Sequence, residues 1–237
     1  MMDPLENKLR NLEGGRILDV ATAYGESINY LIRTFKTYNE AIGIDMAADR
    51  IAKANEKYGD KIFFSNMDAE RLEFEEDHFD TVSIRYSLHH LADIDKVLNE
   101  MKRVLKNNGL FIIGEMYQDP ATEKPNSQRH WHHWRAEVDR LLGESHNETL
   151  YKKNIIQAAE KLNLKDMEII QQLPSDFKPN HDFIKGMVET CIEHIEKLEK
   201  MGGQDDLIKR GHEIISILKT SGYTPEGVLF ILGRKLA

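Results

Sequence analysis

Residues 16–25 read Arg-Ile-Leu-Asp-Val-Ala-Thr-Ala-Tyr-Gly, and the fold follows from how this stretch is parsed. The first six residues, RILDVA, predict a short buried strand. Small residues at 21, 23 and 25 predict a turn in which the backbone approaches a ligand closely. The spacing then becomes helical: over 25–35, Ile28, Leu31, Ile32 and Phe35 share one face. A buried strand, a tight small-residue turn and an amphipathic helix open a βαβ unit.

The same alternation continues outward. Residues 40–45 (EAIGID) predict a second strand, 48–58 a helix, 61–65 (KIFFS) a third strand and 79–84 (FDTVSI) a fourth. Asp93 is placed to cap a helix running to residue 105, with Ile94, Val97, Leu98, Met101, Val104 and Leu105 facing inward. Asn107-Asn108-Gly109 is a stop-and-turn signal before a fifth strand over 110–115. Beyond it lie a polar loop over 120–127, helices over 128–142 and 151–162, and a strand over 166–173. Helices over 182–200 and 205–221 and a last strand over 227–234 (GVLFILGR) complete the chain. The expected fold is α/β. It is a Rossmann-like, doubly wound, mostly parallel sheet of about seven strands with an antiparallel last strand. Helical insertions at about 120–150 and 180–222 interrupt a single domain spanning 1–237.

Composition narrows the function. Of 237 residues, 41% are hydrophobic and 30% charged, which suffices for a sizeable core. A net charge of −8 disfavours a nucleic-acid partner, because an acidic surface repels phosphate backbones. The single cysteine, Cys191, forms no internal disulfide and suits a reducing cytoplasm. The first nine residues lack the apolar core of a signal peptide, and no apolar run is long enough for a membrane span. The expected location is therefore the cytoplasm, with no membrane partner.

In an open parallel sheet, ligands bind at the carboxyl ends of the strands. Those ends carry Asp19 to Gly25 after the first strand, Asp45 and Met46 after the second, and Asn66-Met67-Asp68-Ala69 after the third. Arg85-Tyr86-Ser87-Leu88-His89-His90 follows the fourth and Glu115 ends the fifth. A carboxylate at 45 can accept two ribose hydroxyls. The helix after residue 25 offers unpaired N–H groups to a ligand.

These stretches resemble the class I S-adenosylmethionine (SAM)-dependent methyltransferases, nearest to the ubiquinone/menaquinone-biosynthesis type that acts on small molecules. DVATAYG resembles the family's first motif with two of three glycines replaced by alanine. GIDMAADRI, NMDAERLEF, FDTVSIRYSLHHL and LKNNGLFIIGE resemble the next four motifs, in order, over about residues 14–116. The terminal GVLFILGRK resembles the family's antiparallel last strand.

The resemblance implies SAM as cofactor. It puts Asp19, Ala21, Thr22, Ala23, Tyr24 and Gly25 at the methionine end, Asp45 on the ribose and Met46 on the adenine. Asp68 and Ala69 hold the adenine edge, and Arg85 lies near the methionine carboxylate or the substrate. The expected activity is methyl transfer from SAM to a small molecule by in-line displacement, in which the enzyme supplies alignment and excludes water.

If the nucleophile carries a proton, His89, His133 and Glu115 are the candidate bases. Tyr86, His130, Trp134 and His146 are the candidate substrate contacts. The helix over 128–142, QRHWHHWRAEVDRLL, reads as a lid over the site or as a core helix anchored by two tryptophans. It is equally suited to pairing two subunits of a homodimer. No metal is expected, because His130, His133, His146 and Glu115 match no known ligand spacing.

An Asn/Asp-Pro-Pro-aromatic motif after strand four would mark nucleic-acid amino-methyltransferases; IRYS stands there instead. The paired glutamates of protein arginine methyltransferases are not seen. Two rivals are a non-catalytic SAM-binding sensor or partner subunit, suggested by the alanines of the first motif, and a nicotinamide oxidoreductase. Ala21, Ala23 and Glu26 argue against the latter.

Overall fold

The computed structural model describes residues 4–119, 127–172 and 180–237. Most of the expected 120–127 loop, and the end of the strand expected to reach 173, lie outside them. The chain divides into two compact units: residues 1–115, 153–171 and 229–237 form one, and 116–152 with 172–228 the other.

The first unit opens with a short helix, α1 (Pro4–Leu9), and then alternates strand and helix. The order is β1 (Arg16–Val20), α2 (Glu26–Thr34), β2 (Glu40–Asp45), α3 (Ala48–Tyr58), β3 (Phe63–Asn66), β4 (Phe79–Arg85), α4 (Ile94–Val104) and β5 (Leu105–Gln118). Later in the chain α6 (Lys152–Glu160), β7 (Lys165–Gln172) and most of β8 (Gly227–Arg234) return to it. The strand order is β3-β2-β1-β4-β5-β8-β7. β1 pairs in parallel with β2 through Leu18↔Ile42 and with β4 through Leu18↔Val82. The chain order therefore reverses between β1 and β4, which is where a doubly wound sheet opens its ligand crevice. β8 is antiparallel to β5: Lys235 exchanges backbone hydrogen bonds with Asn108 and Gly109, while Gly227 abuts Tyr117 at the other end.

Because both faces of a parallel sheet are covered, its strands are apolar almost throughout. Ile17, Leu18, Val20, Val82, Ile84, Phe111, Ile112 and Ile113 are fully buried. Helix α4 starts where expected, its cap Asp93 accepting the Lys96 N–H at 3.0 Å. The structure departs from expectation at 107–109. The turn signal there lies within β5, because Asn108, at φ 63°, and Gly109 are held in the sheet by Lys235. A register shift opposite Phe79 and Thr81 absorbs the extra residues. Tyr151, expected to open a helix, instead ends a two-residue strand, β6 (Leu150–Tyr151), paired with Tyr117 and Gln118.

The second unit is built on three helices, α5 (Ser127–Leu141), α7 (His181–Met201) and α8 (Asp205–Thr220). Trp134, Val138, Cys191, Ile195, Leu198, Ile214 and Leu218 fill the space between them. Among the described residues, no helix is long and apolar enough to cross a membrane.

Candidate active site

The carboxyl ends of β1, β2 and β4 are tied together by two buried aspartates. Asp19 is fully enclosed and accepts hydroxyls from Thr22 (2.7 Å), Ser27 (3.2 Å) and Ser83 of β4. Burial pushes its carboxyl pKa up, against the opposing pull of those hydroxyls and of the Arg85 charge. Asp19 therefore shapes the loop from inside, and acts on a ligand only through the backbone it positions. That loop adopts the geometry glycines would give. Ala21 and Ala23 have φ of 53° and 48°, and Gly25, the residue before α2, has 82°. Thr22 N–H pairs with Ile44 O at 2.8 Å, and Tyr24 is exposed at the tip beneath the Lys53 ammonium, 5.7 Å from its ring.

Asp45 is the second tie. Its Oδ2 accepts Ala23 N–H and its Oδ1 accepts Ala47 N–H, each at 2.9 Å, with 6% of the residue exposed. A carboxylate oxygen carries two lone pairs, so both oxygens retain capacity for a hydroxyl. Met46 beside it is 81% exposed, an apolar platform that nothing in its own unit covers. Asn66 Nδ2 and Met67 N–H both reach Asp45 O, drawing the end of β3 to the same place. Asp68 is exposed and accepts Glu70 N–H at 2.8 Å, with Ala69 half-buried beside it.

On β4, Arg85 is only 9% exposed. Its guanidinium lies over the rings of Tyr30 (4.5 Å), Tyr86 (5.3 Å) and Phe230 (5.7 Å). Its buried Nε makes no hydrogen bond among the described residues. The aromatic faces and the nearby charge of Asp19 offset the burial of this cation. Tyr86 takes φ 55°, and Ser87 Oγ reaches Ala21 O at 3.2 Å, joining the strand-four loop to the first. The 3₁₀ turn Leu88–His90 is held by Glu115, which is fully buried. Its Oε2 accepts Leu88 N–H at 2.6 Å, and its Oε1 faces His89 Nδ1 at 3.1 Å. Glu115 thus orients the His89 ring through Nδ1. Glu115 is thereby a positioning group.

The remaining sequence candidates sit in the helical unit. His130 is exposed. His133 Nε2 meets Thr149 Oγ1 at 2.8 Å, and burial pushes its pKa down. Trp134 is enclosed in the helical core, its Nε1 donating to Leu207 O at 2.8 Å. His146 is buried against Asp139 at 2.6 Å. Sequence reasoning did not single out Ser27, Ser83, Tyr30 or Phe230, and it quoted Asn66 and Ser87 only as part of strand-end stretches, with no role. Ser83 carried a usable signal, a hydroxyl inside an otherwise apolar strand. The others are brought in only by the fold. An open cavity of about 420 Å³ lined by Arg16, Asn39, Glu40, Asp80 and Lys106 lies at the opposite, amino-terminal ends of the strands. It holds none of the residues described above.

A doubly wound sheet with a glycine-like turn after β1 and a carboxylate ending β2 is the class I methyltransferase arrangement. Residues 18–113 match the family model described as a methyltransferase domain. YcgJ of Bacillus subtilis (strain 168), described as an uncharacterized methyltransferase, is 32% identical over 116 residues. That match spans 46% of this chain and 44% of that protein, less than half its length. The ubiquinone/menaquinone biosynthesis C-methyltransferase UbiE of Pseudomonas paraeruginosa is 26% identical over 198 residues, covering 80% of this chain and 70% of that one. The crystal structure of Bacillus subtilis YcgJ shares the fold over 98% of this chain and 97% of its own, with a TM-score of 0.58 at 19% identity. So does Haemonchus contortus phosphoethanolamine N-methyltransferase 2, solved with phosphomonomethylethanolamine and S-adenosylhomocysteine. It covers 95% of this chain and 50% of its own, with a TM-score of 0.58 at 18% identity.

Proposed function

We propose that this chain transfers a methyl group from SAM to a small-molecule acceptor. The observation that carries the reading is Asp45, a nearly buried carboxylate at the end of β2 with acceptor capacity to spare and the exposed Met46 beside it. Asp45 takes the ribose hydroxyls, Met46 packs on the adenine, and Asp68 with Ala69 reads its edge. The turn from Ala21 to Gly25, set by Asp19, passes along the methionine moiety, with Arg85 facing its carboxylate.

Transfer is an in-line displacement at the sulfonium, and holding acceptor and methyl in line can supply about 7–11 kcal/mol. His89, oriented by Glu115, is the base for a protonated nucleophile, and Tyr86 orients the acceptor. His133 is the alternative base. The helical unit, lying outside the matched residues 18–113, is assigned acceptor selection through the exposed His130, with Trp134 and His146 acting from within that unit, where both are buried. The acidic chain argues for a small acceptor over nucleic acid, and the buried free thiol of Cys191 for the cytoplasm.

The sensor reading drew on the alanines at 21 and 23. Both adopt positive φ, so the turn keeps the conformation that glycines would provide, which favours an intact cofactor site. The test is calorimetric titration with SAM. Wild type should bind at micromolar Kd, and Asp45→Asn should bind about 10–100-fold more weakly, the loss of one or two hydrogen bonds to a charged acceptor. Failure of well-folded wild type to bind SAM overturns the assignment.

A further inference from the structure

The helical unit contains a buried polar cluster of which the methyl-transfer reading uses only His146. α5 contributes His132 and, two turns on, Asp139; the segment after α5 contributes His146, and α7 contributes His194. All four are less than a tenth exposed. Asp139 Oδ2 lies 2.6 Å from His146 Nδ1, and its Oδ1 lies 2.8 Å from His194 Nε2. Arg135 Nε adds a cation 3.3 Å from the same carboxylate. Such a cluster is expensive to bury in an otherwise apolar three-helix core, so its retention calls for a purpose. The carboxylate fixes the tautomer of His146: Nδ1 carries the proton, and Nε2 presents a lone pair.

That Nε2 faces His132 Nε2 at 3.1 Å. Two nitrogens come this close by sharing a proton or by sharing a cation, and the ring positions can be compared with each geometry. The centroid of an imidazole lies about 1.1–1.2 Å from its ring nitrogen, so a head-on N–H···N bond places the centroids about 5.4 Å apart. For metal–nitrogen bonds of about 2.0–2.1 Å, a 3.1 Å separation corresponds to an angle of about 98° at the metal. That angle in turn requires centroids about 4.8 Å apart. The observed centroid separation is 4.8 Å, with the ring planes at 83°. The separation is the one that a shared metal requires, and each ring can offer such an ion a nitrogen.

We propose that His132 and His146 are ligands of a divalent first-row transition metal of the imidazole-preferring kind (zinc, copper, nickel or cobalt). Asp139 orients His146 from behind, and His194 and Arg135 balance its charge. The other coordination positions accept water or an oxygen or sulfur donor of a ligand. The proposal does not depend on SAM, and its test is run without it.

Full-length protein stripped by chelator is titrated with Co(II), Zn(II) and Cu(II). One equivalent of Co(II) should give visible ligand-field bands that Zn(II) displaces. The Cu(II) form should show electron-paramagnetic-resonance splitting from at least two imidazole nitrogens. His132→Gln and His146→Gln should each weaken binding at least tenfold, and Asp139→Asn about 10–100-fold. His212→Gln, a control on α8, should bind as wild type does. No stoichiometric binding by wild type up to 100 μM Co(II), about that concentration being a generous upper limit for a useful site, overturns the proposal. So does binding unchanged in both histidine variants. If those variants fail to fold by circular dichroism, the Cu(II) spectrum of wild type decides, and the absence of nitrogen splitting overturns it.

Discussion

Replacing Ala21 and Ala23 by glycine should stabilise this protein, against the usual direction of such a change. Both residues sit in the left-handed region, at φ 53° and 48°. There an L-residue with a Cβ is strained by about 1–2 kcal/mol. Glycine removes that strain but restores unfolded-state entropy worth about 0.4–1 kcal/mol. The balance is about +0.5–1 kcal/mol per site and about +1–2 for the pair, or roughly 2–8 °C in Tm for a chain of this size. Gly25 makes the internal contrast. At φ 82° a Cβ would be strained in the same way, and it would also meet Phe64 Cζ at 2.7 Å and Tyr58 Cδ2 at 3.0 Å. Gly25→Ala should therefore lose about 2–5 kcal/mol, strain plus overpacking.

Urea titration of the double glycine variant, Gly25→Ala and wild type measures all three. Calorimetry with SAM on the same samples reports whether the turn keeps its shape. Since Asp19 and Asp45 hold the turn, SAM affinity in the double glycine variant should stay within about threefold of wild type. A double variant that loses more than about 1 kcal/mol, or a neutral Gly25→Ala, would refute the claim that this turn is a strained, glycine-type loop held by the two aspartates.

Two further outcomes are expected. Gly211→Ala places a Cβ 2.7 Å from Trp134 Cζ2 and 2.9 Å from Ile195 Cδ1, so it should destabilise the helical unit by about 1–3 kcal/mol, with loss of the near-ultraviolet tryptophan signal; an unchanged melt would contradict the packing. Asp80 is partly buried, which alone would raise its pKa, but the Lys106 ammonium at 2.7 Å and the Arg16 N–H at 2.9 Å hold it below the usual carboxylate range. A depressed carboxyl pKa contributes stability that is present above the unfolded value of about 3.9 and lost as pH falls through the folded one. Asp80→Asn should thus melt lower than wild type at pH 7, and thermal melts across pH 2–7, about that range, should show the gap closing below about pH 4.

The sheet was legible in the sequence because each strand is an apolar run bounded by turn chemistry, and the helices between them keep strict 3.6-residue spacing. Strands 40–45 and 227–234 and helix 48–58 coincide with expectation at both ends. The reading began the fifth strand only after Asn107-Asn108-Gly109, because turn propensity is local whereas the pairing of Asn108 and Gly109 with Lys235 spans more than 120 residues. The cofactor candidates were legible in the same way: strand ends are set by local pattern, and topology brings them together. The histidines were not. A lone motif HWHHW offers His130, His132 and His133 with equal claim, and only helix phase selects among them. It turns His130 to solvent and ties His133 to Thr149. It buries His132 on the face that Asp139 shares two turns later.

That selection bears on how the two units divide their work. In the sheet unit the buried carboxylates hold the strand-end loops: Asp45 accepts the backbone N–H groups of Ala23 and Ala47 and Glu115 that of Leu88, while Asp19 accepts the hydroxyls of Thr22, Ser27 and Ser83. Carboxylates so used make a rigid site whose geometry tolerates alanine where glycine would relax it. In the helical unit the buried charge is arranged around side chains: Asp139 serves His146, His194 and Arg135, and no backbone N–H of a turn depends on it among the hydrogen bonds described. Burial alone would raise the pKa of Asp139, but its histidine partners and Arg135 hold the carboxylate ionised, well below the ordinary range. An ionised carboxylate behind His146 favours the Nδ1–H tautomer of its neutral imidazole. Fixed backbone is what a common cofactor requires, and fixed tautomers are what a ligand-binding histidine requires.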